Sequence, residues 1–169
     1  CFEKARWLDV VPEYNPFKYN SFPANAGLQT ARFTAAIQQQ LSRAEEEGTL
    51  ARFPRVLAFQ SVVDTTVSTR AGGDHLFNRL PAAGHELVLF DLNRAAGVDA
   101  LTIPGAVLPR LTRQGARAFT ETLVTNTTPD TLEVSAVTVA AGTTSLVSEP
   151  LGLAWPADMY SLSHVALPF

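Results

Sequence analysis

Hydrophobic and polar positions change rhythm along the chain, and each change predicts a different element. The opening, CFEKARWLDVVPEYNPFKYNSFPANAG, is dense in aromatic rings but carries Pro12, Pro16 and Pro23. Proline lacks a backbone N–H and clashes with the preceding turn, so an extended or irregular segment is expected here. The period then becomes helical. Leu28, Ala31, Ala35, Ile37 and Leu41 form an apolar stripe through LQTARFTAAIQQQLSRAEEE, with Asn25 as the expected N-cap and Gly48 as the stop. Val56, Leu57, Ala58 and Phe59 make a short unbroken apolar run, which predicts a strand buried on both faces, as in a parallel sheet. A helix is expected through STRAGGDHLFNRLPAAG, where Leu76, Phe77 and Leu80 stand at helical spacing, and HELVLFDLNR reads as a second buried strand. Strand, helix, strand is the βαβ unit of a parallel sheet.

Beyond Ala95 the texture alternates. LTRQGARAFTETLVTNTTPDTLEVSAVTVAAGTTSLV is rich in threonine and valine and breaks at NTTPD and AAG, which predicts a hairpin or small meander. The tail, GLAWPADMYSLSHVALPF, reads as a loop. The expected organisation is a first segment over 1–50, a β-α-β core over 51–94, a β-rich stretch over 95–154 and a closing loop over 155–169. The fold class is α/β.

Composition narrows the partners. The chain has 169 residues, 46% of them apolar, enough for one domain with a real core. Net charge is −3 and no basic stripe is visible, which argues against nucleic acid. Charged residues are 17% of the chain, below the usual share of about a quarter, and this suggests surface covered by another segment or another chain. The longest apolar stretches, VLAF and ELVLFDL, are strand-sized and far short of the ~20 residues of a membrane span. The single cysteine, Cys1, excludes an internal disulfide framework. In first place it fits either a chain that simply begins there or the lipid-bearing residue of a processed bacterial lipoprotein. A cytoplasmic and an envelope location both stay open.

Two residues are placed for chemistry. In open α/β sheets, functional groups gather beyond the carboxyl ends of the strands. Asp64 closes SVVD after the first apolar strand, where an aspartate also makes a good helix N-cap. His164 stands in the tail, where Ser161 and Ser163 are near enough in sequence to hold it as a structural residue. An acid followed by a histidine in a late loop matches the second and third members of a Ser…Asp…His triad. Asp64 would accept the Nδ1–H of His164, and Nε2 would take the serine proton. The first member is missing. No serine in the chain has glycine two positions to either side, so there is no G-x-S-x-G elbow, and no HGGG-type oxyanion segment exists.

FPRVLAFQSVVDTTVST, ELVLFDLNR and SLSHVALPF, in this order, resemble the second half of an α/β-hydrolase of the serine-aminopeptidase or lysophospholipase-like group. The proline-and-aromatic opening with its helix resembles the cap such enzymes insert before the acid-bearing strand. The resemblance covers most of the chain through short motifs. It implies a partial α/β-hydrolase fold with a helical cap segment and a β-rich insertion. It also implies Asp64 as acid, His164 as base, no cofactor, and a nucleophilic serine outside these residues. The parent reaction would be hydrolysis of a carboxylic ester, or else an amide, through an acyl-serine, with a small ester or lipid-like molecule as substrate. One departure is the separation of one hundred residues between Asp64 and His164, which requires the β-rich stretch to return the histidine to the acid.

Further candidates are weaker. Asp91, at the end of ELVLFD, is the reserve acid. Tyr14, Phe17, Tyr19 and Phe22 are expected either to nail a proline-kinked loop to the core or to line an apolar substrate pocket. Asp74 and His75 read as a solvated helix face, and His85 and Glu86 as loop residues. The scattered histidines and lone cysteine give no metal spacing, and AGG at 71–73 is no phosphate loop. A competing class is a non-enzymatic α/β binding or assembly module. An unpaired strand edge predicts self-association, or association with a missing N-terminal half.

Overall fold

The computed structural model describes residues 7–9, 22–64, 72–73, 75–97, 115–156 and 159–161. The chain divides into two compact units, one of residues 1–50 with 165–169 and one of residues 51–164.

In the first unit, strands β1 (Trp7–Asp9) and β2 (Phe22–Pro23) pair antiparallel, Trp7 opposite Pro23 and Asp9 opposite Phe22. The expected helix follows as α1 (Ala24–Glu46). It begins earlier than the sequence pattern suggests. Pro23 takes the N-cap position in an extended conformation without any side-chain cap, and the Asn25 side-chain Oδ1 instead accepts from Gln29 Nε2 at 3.3 Å. Proline needs no N–H at a helix start, which is why the cap moves forward. The stop is as expected: Gly48, at φ +66°, donates to Glu45 O, and Thr49 donates to Ala44 O. This is a Schellman closure, and only glycine takes that left-handed turn without strain. Of the apolar stripe, Leu41 is buried, whereas Leu28 and Ile37 are exposed.

The second unit is a mixed five-stranded sheet, an α/β-type arrangement in a chain whose one long described helix is α1. Its strands are β3 (Leu57–Ser61), β4 (Glu86–Phe90), β5 (Thr120–Asn126), β6 (Glu133–Val139) and β7 (Leu146–Ala154), in that spatial order. β3, β4 and β5 run parallel, whereas β5–β6 and β6–β7 are antiparallel. The threonine-rich stretch therefore does form a meander, and it continues the same sheet.

Register assigns the two faces. On one, Leu87, Leu89, Leu123, Val137 and Val139 pack with Phe77 and Phe119 into the core, and the two rings lie 5.0 Å apart. On the other lie Leu57, Phe59, Val88, Phe90, Thr122 and Val124, none of them fully buried. The expectation that β3 is buried on both faces is thus corrected: Leu57 is 56% exposed and Phe59 is 64% exposed. β3 is the edge of the described sheet and, among the described residues, nothing covers its second face, a circumstance that an apolar run does not encode.

The second half of the helix expected between β3 and β4 is also corrected; residues 68–71 and Asp74 of that stretch lie outside the described residues. Gly72, Gly73 and His75 are helical, and Phe77–Arg79 form a short 3-10 helix. Leu80 then turns extended, at φ −75° and ψ 146°. The ring of Pro81 disfavours helical backbone at the residue before it. Phe77 and Leu80 are nevertheless buried, so the core set the apolar spacing on either side of the point where the helical backbone ends.

Candidate functional site

The parallel strands carry their polar termini to one edge of the sheet. After Ser61, β3 ends in a tight turn in which Val62 N–H reaches Phe90 O of β4 at 2.9 Å and Asp64 N–H donates back to Ser61 O at 3.2 Å. The Ser61 hydroxyl oxygen lies 3.4 Å from Val63 N, a long contact on the same turn. Asp64 is half-buried, beyond the carboxyl end of β3 and one strand away from Asp91. The helix that Asp64 would cap lies outside the described residues.

Asp91 follows β4 and is 1% exposed. Its carboxylate takes a two-pronged approach from Arg94, Nε to Oδ2 at 3.0 Å and Nη2 to Oδ1 at 3.1 Å, and Oδ2 also accepts the Thr125 hydroxyl at 2.8 Å. Burying a carboxylate is tolerated only with such pairing, so the local geometry explains the residue without any catalytic role.

Two residues further, Asn93 is fully buried. Its backbone N–H donates to Tyr160 O at 2.8 Å and its carboxamide to Met159 O at 2.9 Å. Its Oδ1 accepts from Asn126 Nδ2 at 3.0 Å. Asn126, at the end of β5, also donates to Thr131 O at 2.7 Å and accepts from Arg94 N–H at 2.8 Å. This amide pair joins the ends of β4 and β5 to the tail segment that precedes His164. Sequence reasoning missed it. The signal was available in LNR directly after an apolar strand, but Asn126 reads as a turn residue in NTTPD.

His164, Tyr14, Phe17, Tyr19 and Asp74 lie outside the described residues, and Phe22 is placed only by its backbone in β2. His75 is exposed. His85 is not the loop residue expected: it is fully buried, its Nδ1 accepts the Val56 N–H at 3.0 Å, and its Nε2 has no hydrogen-bond partner among the described residues. An accepting Nδ1 puts the proton on Nε2. The residue belongs to the amino end of β4, the opposite edge of the sheet from Asp64 and Asp91.

No helix among the described residues is long and apolar enough to cross a membrane. Comparisons with protein-family models, with curated proteins and with solved structures found no match to this chain.

Proposed function

We propose that the chain supplies the acid and base of a serine hydrolase acting on a carboxylic ester, with Asp64 orienting and His164 shuttling the proton. The nucleophilic serine would come from outside these residues. One observation carries the reading. Strands β5, β6 and β7 run up, down and up, so the chain leaves β7 at the edge where β3 delivers Asp64. From there the tail crosses back over the strand ends to Asn93, next to β4. That crossing spans about 14 Å at ordinary strand spacing, within reach of the six residues from Ala154 to Tyr160. Four more residues reach at most ~14 Å further, and β3 stands only one strand spacing, about 5 Å, beyond β4. The separation of one hundred residues is therefore no obstacle to the pairing.

The test is proton NMR of the imidazole N–H region. An Nδ1–H bonded to a carboxylate resonates at unusually low field. A low-field His164 signal, assigned by its loss in His164→Ala, should vanish in Asp64→Asn and survive in Asp91→Asn. Absence of the signal overturns the pairing, and its loss only in Asp91→Asn moves the acid to Asp91. The same 169 residues, offered an activated ester, should release no burst of product.

A second reading, as an assembly module, is supported by the sheet edges. β7 is an edge guarded by Glu149, by Pro150, which lacks an N–H, and by an irregular register near Ser135. Among the described residues β3 has no such guard. LAFQS is uncharged, and Phe59, stacked 6.3 Å from Phe90, presents apolar area. Self-association through β3 would cover it. Light scattering behind a sizing column should then give a dimer for the native chain and a monomer for Phe59→Asp; a native monomer removes this reading.

A further inference from the structure

We infer that two copies of the chain join β3 to β3 as antiparallel strands about a two-fold axis at Ala58, so that Leu57 of each meets the partner's Phe59. The inference deepens the assembly reading and rests on it. β3 pairs parallel with β4, and its hydrogen bonds fix which way each main chain points. Val56 O accepts from Glu86 N–H and Val62 N–H donates to Phe90 O, both at 2.9 Å. Successive residues of a strand direct their N–H and C=O groups to opposite sides. Val56, Ala58, Gln60 and Val62 therefore face β4, and Leu57, Phe59 and Ser61 face outward. The outward residues Leu57 and Phe59 are 56% and 64% exposed, so their side chains stand open at the same edge as their main-chain groups.

Charge and register select a second copy as the occupant. Such an edge is a template for another strand, and a two-fold pair presents the same patch from both sides. LAFQS carries no charge, so the strand meets itself without like-charge repulsion. Beyond it, Arg55 meets the partner's Ser61 and not a second cation. With the axis at Ala58, Leu57 and the partner's Phe59 exchange both N–H···O bonds, and the symmetric pair does the same. That pairing also sets the exposed leucine and phenylalanine side by side on one face, next to Phe90, against which Phe59 already stacks at 6.3 Å. Directly opposed aromatic and aliphatic side chains stabilise a strand pair. An axis at Phe59 would instead require Ser61 O to accept from the partner's Leu57, and that carbonyl is already engaged by Asp64 N–H at 3.2 Å.

Strand pairing, register and mass are read separately on the full chain. In the native protein, raising the concentration through the monomer–dimer range should slow amide exchange at Leu57 and Phe59 by roughly tenfold or more, and should leave Ser148 on β7 unchanged. In a Cys1→Ser background, Ala58→Cys should form an intermolecular disulfide under mild oxidation. Opposed residues of a non-hydrogen-bonded antiparallel pair have Cα atoms about 4.5 Å apart, within the disulfide range of about 4.4–6.8 Å. Phe59→Cys should not cross-link, although that site is the more exposed, because the partner's Phe59 stands two positions out of register. Cross-linking through Phe59→Cys alone, or through neither site, overturns the register while the assembly reading stands. A dimer that is lost in Phe59→Asp, yet leaves the native Leu57 and Phe59 amides unprotected, overturns strand addition and keeps β3 as the contact; this readout holds even if a cysteine variant does not fold. A native chain that stays monomeric by light scattering removes both the inference and the reading beneath it.

Discussion

Replacing Asp91 with alanine gives the sharpest check on how the carboxyl edge is built. The substitution removes a carboxylate that is 1% exposed and deletes two charged bonds from Arg94 and one from Thr125. Truncating one partner of a buried ion pair typically costs about 3–5 kcal/mol, because the other charge is left buried. Here the Arg94 side chain is 19% exposed, so water recovers part of its solvation and the figure belongs at the low end. Thr125, 5% exposed, keeps a hydroxyl without that acceptor, which adds about 1 kcal/mol of destabilisation. The expected destabilisation is about 4 kcal/mol, or roughly 8–16 °C in Tm for a chain of this size.

Urea unfolding followed by the fluorescence of Trp155, in a Trp7→Phe background, reports on the sheet. Arg94→Leu and the double variant complete a cycle. Because both single variants delete the same pair of bonds, the double variant should lose clearly less than the sum, with a coupling of about 1–3 kcal/mol. If Asp91→Ala lies within about 0.5 kcal/mol of the native chain, as surface substitutions do, or if the losses simply add, the reasoning about this pair is wrong.

Other outcomes follow from single contacts. His85→Leu leaves the Val56 N–H without its acceptor and should destabilise the sheet by about 1–3 kcal/mol, with faster amide exchange at Val56 than at Leu123. Gly48→Ala meets no atom within 4 Å, yet φ is +66°. Its expected loss of about 1 kcal/mol is thus purely conformational, and thermal denaturation that finds no loss would refute the Schellman closure.

Much of the fold was legible. The stripe ending at Gly48 became a helix although Leu41 alone of it is buried, and the run ELVLF and the alternation TLEVSAVTV became strands, whose side chains alternate between the two faces of the sheet. Errors arose where a residue's environment depends on distant chain. Leu57 and Phe59 look like core and are exposed, because the strand that would flank β3 and the layer that would cover it are absent from the described residues. His85 looks like a loop residue and is core, because β3 places Val56 against it. At Leu80 a local rule was overlooked, since the following proline excludes the helix.

Local chemistry determined by itself where strands and α1 form, where glycine ends α1, and that Asp64 and Asp91 close strands. Tertiary structure alone decided the strand order, the edge at which the tail emerges, and that Asp91 is consumed by Arg94 and Thr125 whereas Asn93 turns to the tail. The physical reason is range. Propensity and periodicity act over a few residues, whereas register and the satisfaction of buried polar groups join residues 33 or 66 apart in the chain, as Asn126 joins Asn93 and Asn93 joins Met159.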